Sequence, residues 1–393
     1  LGRGAVGAAI VIIGAGVVGL STAYQLARAG LRDILLLERE TVGSGSSGKS
    51  LGGFRVDFST EVNVRFSLES LKALEGFADE FGVDPDLRRI GYLMLTTSEA
   101  LGARFRENAS RLARFGVEVE VLSPGEIGAR WPYLHTADLA GGTFCARDGT
   151  VGVSELTQGY AAGARRLGVA IREGAEVVGI EVRGGRVVAV RTRRDRVATP
   201  RVLCAAGAWS ARIGDMVGVK IPVTPVRRQV FVTGPCPAIQ GVVPQVVEVG
   251  KGWVFRREGA GFLIYGPQDP APEGLAVLDW GSAGWAVAAA AHRVPPLAEA
   301  EVVGGWAGLY DISPDNHAIL GPVPGLEGFY VATGFSGHGI MHSPAAGKVM
   351  AEVILTGQAR TLDIAPLTIE RFARGALLEE PMTAHVQKEG REG

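Results

Sequence analysis

The stretch Ala9-Ile10-Val11-Ile12-Ile13-Gly14-Ala15-Gly16-Val17-Val18-Gly19 decides how the rest of the chain is read. Its opening residues are apolar and mostly β-branched, the composition of a strand buried on both faces. Three glycines spaced GxGxxG follow at once. A helix-period segment from Leu20 to Ala29 comes next, closed by Gly30 at a C-cap position. A second buried run, Ile34 to Leu37, ends in Glu38 and Arg39, the acid lying nineteen residues after Gly19. Strand, glycine turn, helix, strand and acid make up the dinucleotide-binding fingerprint in its proper order. Gly14 permits the tight turn, Gly16 lets backbone approach a pyrophosphate, and Gly19 lets the helix pack on the strand. Val17 and Val18 open a helix whose free N–H groups face the phosphates, and Glu38 is placed to accept from an adenosine ribose.

The fingerprint alone does not separate NAD from FAD. The next segment, Gly43 to Arg55, is rich in small residues: Ser46, Ser47, Lys49, Ser50, Leu51, Gly52 and Gly53 lie within it, ahead of a helix expected from Glu61 to Phe81. It has too little side-chain volume to fill a core, but its N–H groups and hydroxyls suit an extended polyanionic cofactor. Downstream, Val202-Leu203-Cys204 runs into Ala205, Ala206, Gly207 and Trp209, a third strand ending in small residues against the cofactor. Near the C-terminus a strand at Gly328–Ala332 leads into Gly334-Phe335-Ser336-Gly337-His338-Gly339, with a helix expected from Ala345 to Leu355.

Composition excludes several classes. With 47% apolar residues, net charge -1 and mean hydropathy +0.19, the chain is not disordered. Cys145, Cys204 and Cys236 are far apart and make neither a disulfide framework nor a Cys-rich zinc site, and no metal is expected. The apolar run from Val6 to Leu20 is shorter than the roughly 20 residues needed to span a bilayer. Arg3 before it hints at a signal peptide, but the run passes directly into the glycine motif, so a soluble cytoplasmic protein is expected. Arginines at 183, 186, 191, 193, 194 and 196 surround a hairpin at Gly184-Gly185 without interleaved aromatics. They read as a solvated face, and no nucleic acid is expected.

Taken together in order, these motifs resemble the D-amino-acid-oxidase-like superfamily of FAD enzymes, within it the sarcosine oxidase, dimethylglycine dehydrogenase and proline dehydrogenase β-subunit branch. Ser313-Pro314-Asp315 with Ile319-Leu320-Gly321, and Ser343-Pro344-Ala345, add to the match. The resemblance implies an α/β fold: a discontinuous Rossmann-type FAD-binding domain at 1–84, 148–218 and 305–375, and an α+β substrate domain with a large antiparallel sheet at 85–147 and 219–304. A tail at 376–393 completes the chain, expected to be disordered from Gln387. It also implies hydride transfer from the carbon beside a neutral amine to flavin N5, with hydrolysis of the resulting imine. Val177 and Gly308 are expected against the cofactor. The backbone N–H groups of Gly337, His338, Gly339, Ile340 and Met341 are expected at the negatively charged N1–C2 side of the reduced flavin.

A small amino-acid substrate needs a cation for its carboxylate. Arg55, Arg256 and Arg257 are candidates, Arg256 preferred for its neighbouring aromatics. Tyr265 and Tyr310 are candidate pocket walls, and His338 a catalytic or a turn-holding histidine. Where the family tethers its flavin through cysteine the chain has Gly308, so FAD is expected to be noncovalent. Leu263 stands where a lysine activates oxygen and Met341 where a lysine binds carboxylate, which moves weight from oxidase to a dehydrogenase using a quinone or partner flavoprotein. The leading reading is oxidation of a small secondary amino acid such as sarcosine or L-proline. The alternatives are a subunit of a larger amine dehydrogenase, a glycine or D-amino-acid oxidase, and, remotely, a tRNA-modifying flavoprotein; homo- or hetero-oligomers are compatible with each.

Overall fold

The β-branched run forms the strand Ile10–Ile13, buried along its whole length. A computed structural model of the chain describes residues 7–271 and 276–380. In it this strand is central to a six-stranded sheet. Ile34–Leu37 lies parallel on one side and Val202–Cys204 on the other, followed by Phe329–Thr333; Ala170–Arg172 closes one edge, and Ile319–Pro322, the one antiparallel member, closes the other. The helices Val17–Arg28, Val153–Arg166 and Gly339–Thr356 cover one face of this sheet, where Leu20, Leu26, Tyr160 and Met350 join one core. The opposite face packs under the hairpin Val177–Arg183 and Arg186–Thr192. Its arginines lie on the exposed side, several paired with glutamates, as Arg196 is with Glu181 at 2.9 Å.

An eight-stranded sheet forms the second layer. Its order is Val302–Ile312, Thr224–Thr233, Gly261–Pro270, Trp253–Glu258, Gln245–Glu248, Tyr92–Thr96, Gly141–Cys145 and Glu120–Leu122. Every neighbouring pair is antiparallel except Gln245–Glu248 with Tyr92–Thr96, so the sheet is mixed rather than purely antiparallel. The boundary expected at residue 305 falls inside the edge strand Val302–Ile312. That strand belongs to the eight-stranded sheet but ends against the cofactor side.

Several expected elements shift for identifiable reasons. The first helix begins at Val17, directly on the glycine turn. The long helix after Thr60 is two, Glu61–Glu75 and Phe77–Phe81, with Gly76 between them. The C-terminal helix starts at Gly339 rather than Ala345, because Pro344 is accommodated inside it. Proline brings no N–H to the Ile340 carbonyl, and the Ser343 hydroxyl donates to that oxygen instead at 3.0 Å. The start of the expected tail is also built in. Glu380 is buried and accepts from the backbone and hydroxyl groups of Ser59 and Thr60 at the start of the helix Glu61–Glu75. The expectations for residues 1–6 and from Gln387 onward lie outside the described residues. Among those described, no helix is long and apolar enough to cross a membrane.

Candidate cofactor and active site

The glycine turn closes on itself so tightly that side chains are excluded. Gly14 has φ +106°, and a Cβ there would lie 2.5 Å from the Ala205 carbonyl oxygen; one on Gly19 would overlap the carbonyl of Gly14. Backbone therefore lines this part of an elongated cleft. Glu38 sits at one end, its Oε2 accepting from Ala15 N–H at 2.8 Å, which fixes the carboxylate beside the turn. Arg39 lies over the Trp209 ring at 3.9 Å, making a flat cationic wall with Val177 nearby. Ser47 Oγ accepts from Val17 N–H at 3.0 Å, bringing the serine segment onto the start of the first helix. Ser46 and Ser50 also line the cavity, with Ala205, Ala206 and Gly207 opposite.

At its other end the cavity reaches Tyr310, Asp311, Gly337, Gly339 and Ile340. Gly337 has φ +92°, and a Cβ on it would come within 2.5 Å of the Tyr310 ring, so the ring rests directly on backbone. Asp311 holds this turn by accepting from Gly334 N–H at 2.8 Å and Phe335 N–H at 3.1 Å. Gly339, Ile340 and Met341 open the helix, and their N–H groups have no acceptor within it.

A smaller pocket adjoins this end, sharing Ser46, Ser50, Leu309 and Tyr310. Lys49, Leu51, Tyr265 and Gly308 line it, and the Tyr265 and Tyr310 hydroxyls are 3.3 Å apart. Its buried cation is Arg228, which sequence reasoning missed. Arg228 is buried, its guanidinium 5.4 Å from the Tyr265 ring centre and 5.1 Å from that of Tyr310. Its Nε is buried without a hydrogen-bond partner. The signal was present: alternation along Thr224–Thr233 places Arg228 on the face of Val230, whereas Arg227 faces the other way and pairs with Asp269.

The preferred Arg256 is placed differently from its expectation. Its guanidinium donates to the Leu51 carbonyl and pairs with Glu258 at 2.6 Å, so it props the Leu51 segment and does not line the pocket. Arg257 lies over Phe262 and donates to the Ile239 carbonyl at 2.5 Å. Arg55 is buried on the Phe58 ring at 3.9 Å and donates to the Asp57 carbonyl at 2.6 Å. His338 lies behind the cavity wall, 3.4 Å from Arg55 Nη2 and edge-on to Phe58. Burial and the Arg55 cation hold it well below the ordinary histidine range, so it is neutral. Met341 is packed in the core, and Gly52 and Gly53 line neither cavity: Gly52 backs onto the Val151 carbonyl and Gly53 onto the Tyr92 hydroxyl. Leu263 is buried in an apolar cluster with Leu51, Val230 and Tyr265. Beneath Arg55, two buried carboxyls face each other's field: Asp57 is pushed up to about 6 by burial, and Asp148 to about 8 by burial and by Asp57.

Comparison with known proteins matches residues 9–353 to the FAD dependent oxidoreductase family. The crystal structure of L-proline dehydrogenase from P. horikoshii superposes with a TM-score of 0.87 at 28% identity, covering 95% of this chain and 100% of that one. Sarcosine oxidase subunit beta of Rhizobium meliloti is 28% identical over 94% of this chain and 90% of its own length. Mitochondrial dimethylglycine dehydrogenase of Mus musculus is 28% identical over 93% of this chain, which spans only 44% of that longer protein. The residues present fit FAD: a glycine cradle that a Cβ would fill, an acid at one end of the cavity and a helix start with free N–H groups at the other. Among the described residues, no cysteine lines the cavity. The chain is thus an FAD-dependent oxidoreductase and belongs to the FAD dependent oxidoreductase family.

Proposed function

We propose that the chain oxidises the carbon–nitrogen bond of a small secondary amino acid of the sarcosine or L-proline kind. The observation that carries this reading is Arg228, a buried guanidinium with no acidic partner among the described residues. A buried unpaired charge is costly, and a substrate carboxylate offsets that cost. The pocket is small, and the Tyr265 and Tyr310 rings give it apolar walls suited to a compact amine. Relatives acting on proline and sarcosine support the same substrate class. FAD, when bound, supplies the hydride acceptor. The chain's own residues do the rest. Arg228 grips the carboxylate, the two tyrosines hold the carbon beside the amine, and the helix opening at Gly339 turns its positive end toward the cavity. Water then hydrolyses the imine. The division into a cofactor domain and a substrate domain follows the two sheets in this reading, with the last passage between them near Ile312.

Electron transfer to a quinone or partner protein is favoured over oxygen by Leu263, which puts an apolar side chain in the cluster behind Tyr265. One experiment addresses both points. The yellow protein is mixed anaerobically with glycine, sarcosine, L-proline and D-alanine, and the flavin band is followed. Bleaching by sarcosine or L-proline is expected; bleaching by glycine or D-alanine alone overturns the substrate class. On admission of air slow recovery is expected, and fast recovery overturns the dehydrogenase assignment.

A further inference from the structure

Away from the cofactor, where the loop after Trp131 meets the end of the helix Ala283–Arg293, two histidines flank one carboxylate. His135 Nδ1 is 3.7 Å from Asp138 Oδ1, and His292 Nε2 is 3.2 Å from Asp138 Oδ2. One ligand atom from each of the three residues lies within 4.8 Å of the other two. Ligands bound to a tetrahedral ion at about 2.0–2.1 Å are separated by roughly 3.4 Å, so small side-chain rotations close the set. The carboxylate is already aimed. Arg293, fully buried, holds Asp138 through Nη1 at 2.7 Å and Nη2 at 3.0 Å, and is anchored in turn by Glu248 at 3.0 Å. Such outer partners orient metal-binding carboxylates, and each oxygen keeps a further lone pair. Both imidazoles are exposed on one side, at 40% and 50%, which provides an entry path and an open fourth position. The last-turn carbonyls of the helix add negative potential at the same point.

We propose that His135, Asp138 and His292 bind a borderline divalent transition metal of the zinc class, tying the 131–139 loop to the helix Ala283–Arg293. Arg293 neutralises much of the carboxylate charge, so the two imidazoles carry the affinity; this selects zinc, nickel or copper over calcium and magnesium. No spacing motif betrays the site, because His292 lies 154 residues from Asp138.

The test is titration of metal-stripped, tag-free FAD-loaded protein with ZnCl2 by calorimetry, with the thermal midpoint followed in parallel. One equivalent per chain is expected, together with a raised midpoint. His135→Gln and His292→Ala should each weaken binding about tenfold or more and abolish the rise, while leaving turnover unchanged, since neither residue touches the cofactor cavity. Cobalt substitution should give the visible bands of a four-coordinate site, absent in both variants. Lack of saturable uptake by the unaltered protein, or uptake that both variants retain, overturns the proposal.

Discussion

The cofactor cavity and the smaller pocket beside it share Tyr310 and two serines, yet they are built by opposite means. The cavity takes its shape from backbone at Gly14, Gly19 and Gly337, with carbonyls and N–H groups as its surface. The pocket takes its chemistry from side chains on separate strands: Arg228 on one, Tyr265 and Tyr310 on its two neighbours. A backbone surface tolerates no added atom but is indifferent to most neighbouring side chains. A side-chain surface can be altered one group at a time.

The contrast is most open to attack at the glycines. Gly14→Ala or Gly19→Ala should leave purified protein with little bound FAD, read from the ratio of flavin to protein absorbance; substantial retention by both would show that the cradle has more slack than its geometry suggests. Next in size, Arg228→Met should keep its flavin but lose about 10²–10³-fold in kcat/KM, the scale for removing one partner of a buried hydrogen-bonded charge pair. Arg256→Met should cost far less, and a reversal of that ranking would reassign the carboxylate site. Tyr265→Phe and Tyr310→Phe remove one mutual hydrogen bond and should each cost about two- to tenfold.

A smaller effect belongs to the ground beneath Arg55. Asp57 and Asp148 hold protons more tightly in the folded chain than in the unfolded one, where aspartate titrates near 3.8. Their contribution to stability is therefore complete below that value and is lost as pH rises through the folded values of about 6 and about 8. The thermal midpoint should fall by several degrees between pH 6 and pH 9, and Asp148→Asn should flatten the fall. An unchanged slope in the variant would remove the pair as its source.

What could be read from the sequence divides along the same line. The cofactor side was legible because a glycine required by close approach announces itself in consecutive residues, whatever the rest of the fold does. Arg228 was not, because Arg227 and Arg228 are chemically identical neighbours, and only the register of Thr224–Thr233 against Gly261–Pro270 and Val302–Ile312 decides which one is enclosed. Arg256 looked better for its aromatic neighbours, but those aromatics pack into the core on the far side of its strand. The helix expected from Ala345 starts at Gly339, because Ser343 makes good the donor that Pro344 lacks. Glu380 carried no signal at all, since its partners at Ser59 and Thr60 lie over 300 residues away.

The position of Ile10–Ile13 in its sheet has a consequence for synthesis. It precedes every strand it pairs with, and it can pair at once with Ile34–Leu37. Its other edge waits for Val202–Cys204, roughly 190 residues later. At about 5–20 residues per second that apolar edge stays open for roughly ten to forty seconds, and the next strand outward, Phe329–Thr333, arrives later still. A nascent chain of this design has a window in which this apolar strand offers unpaired backbone to any passing segment.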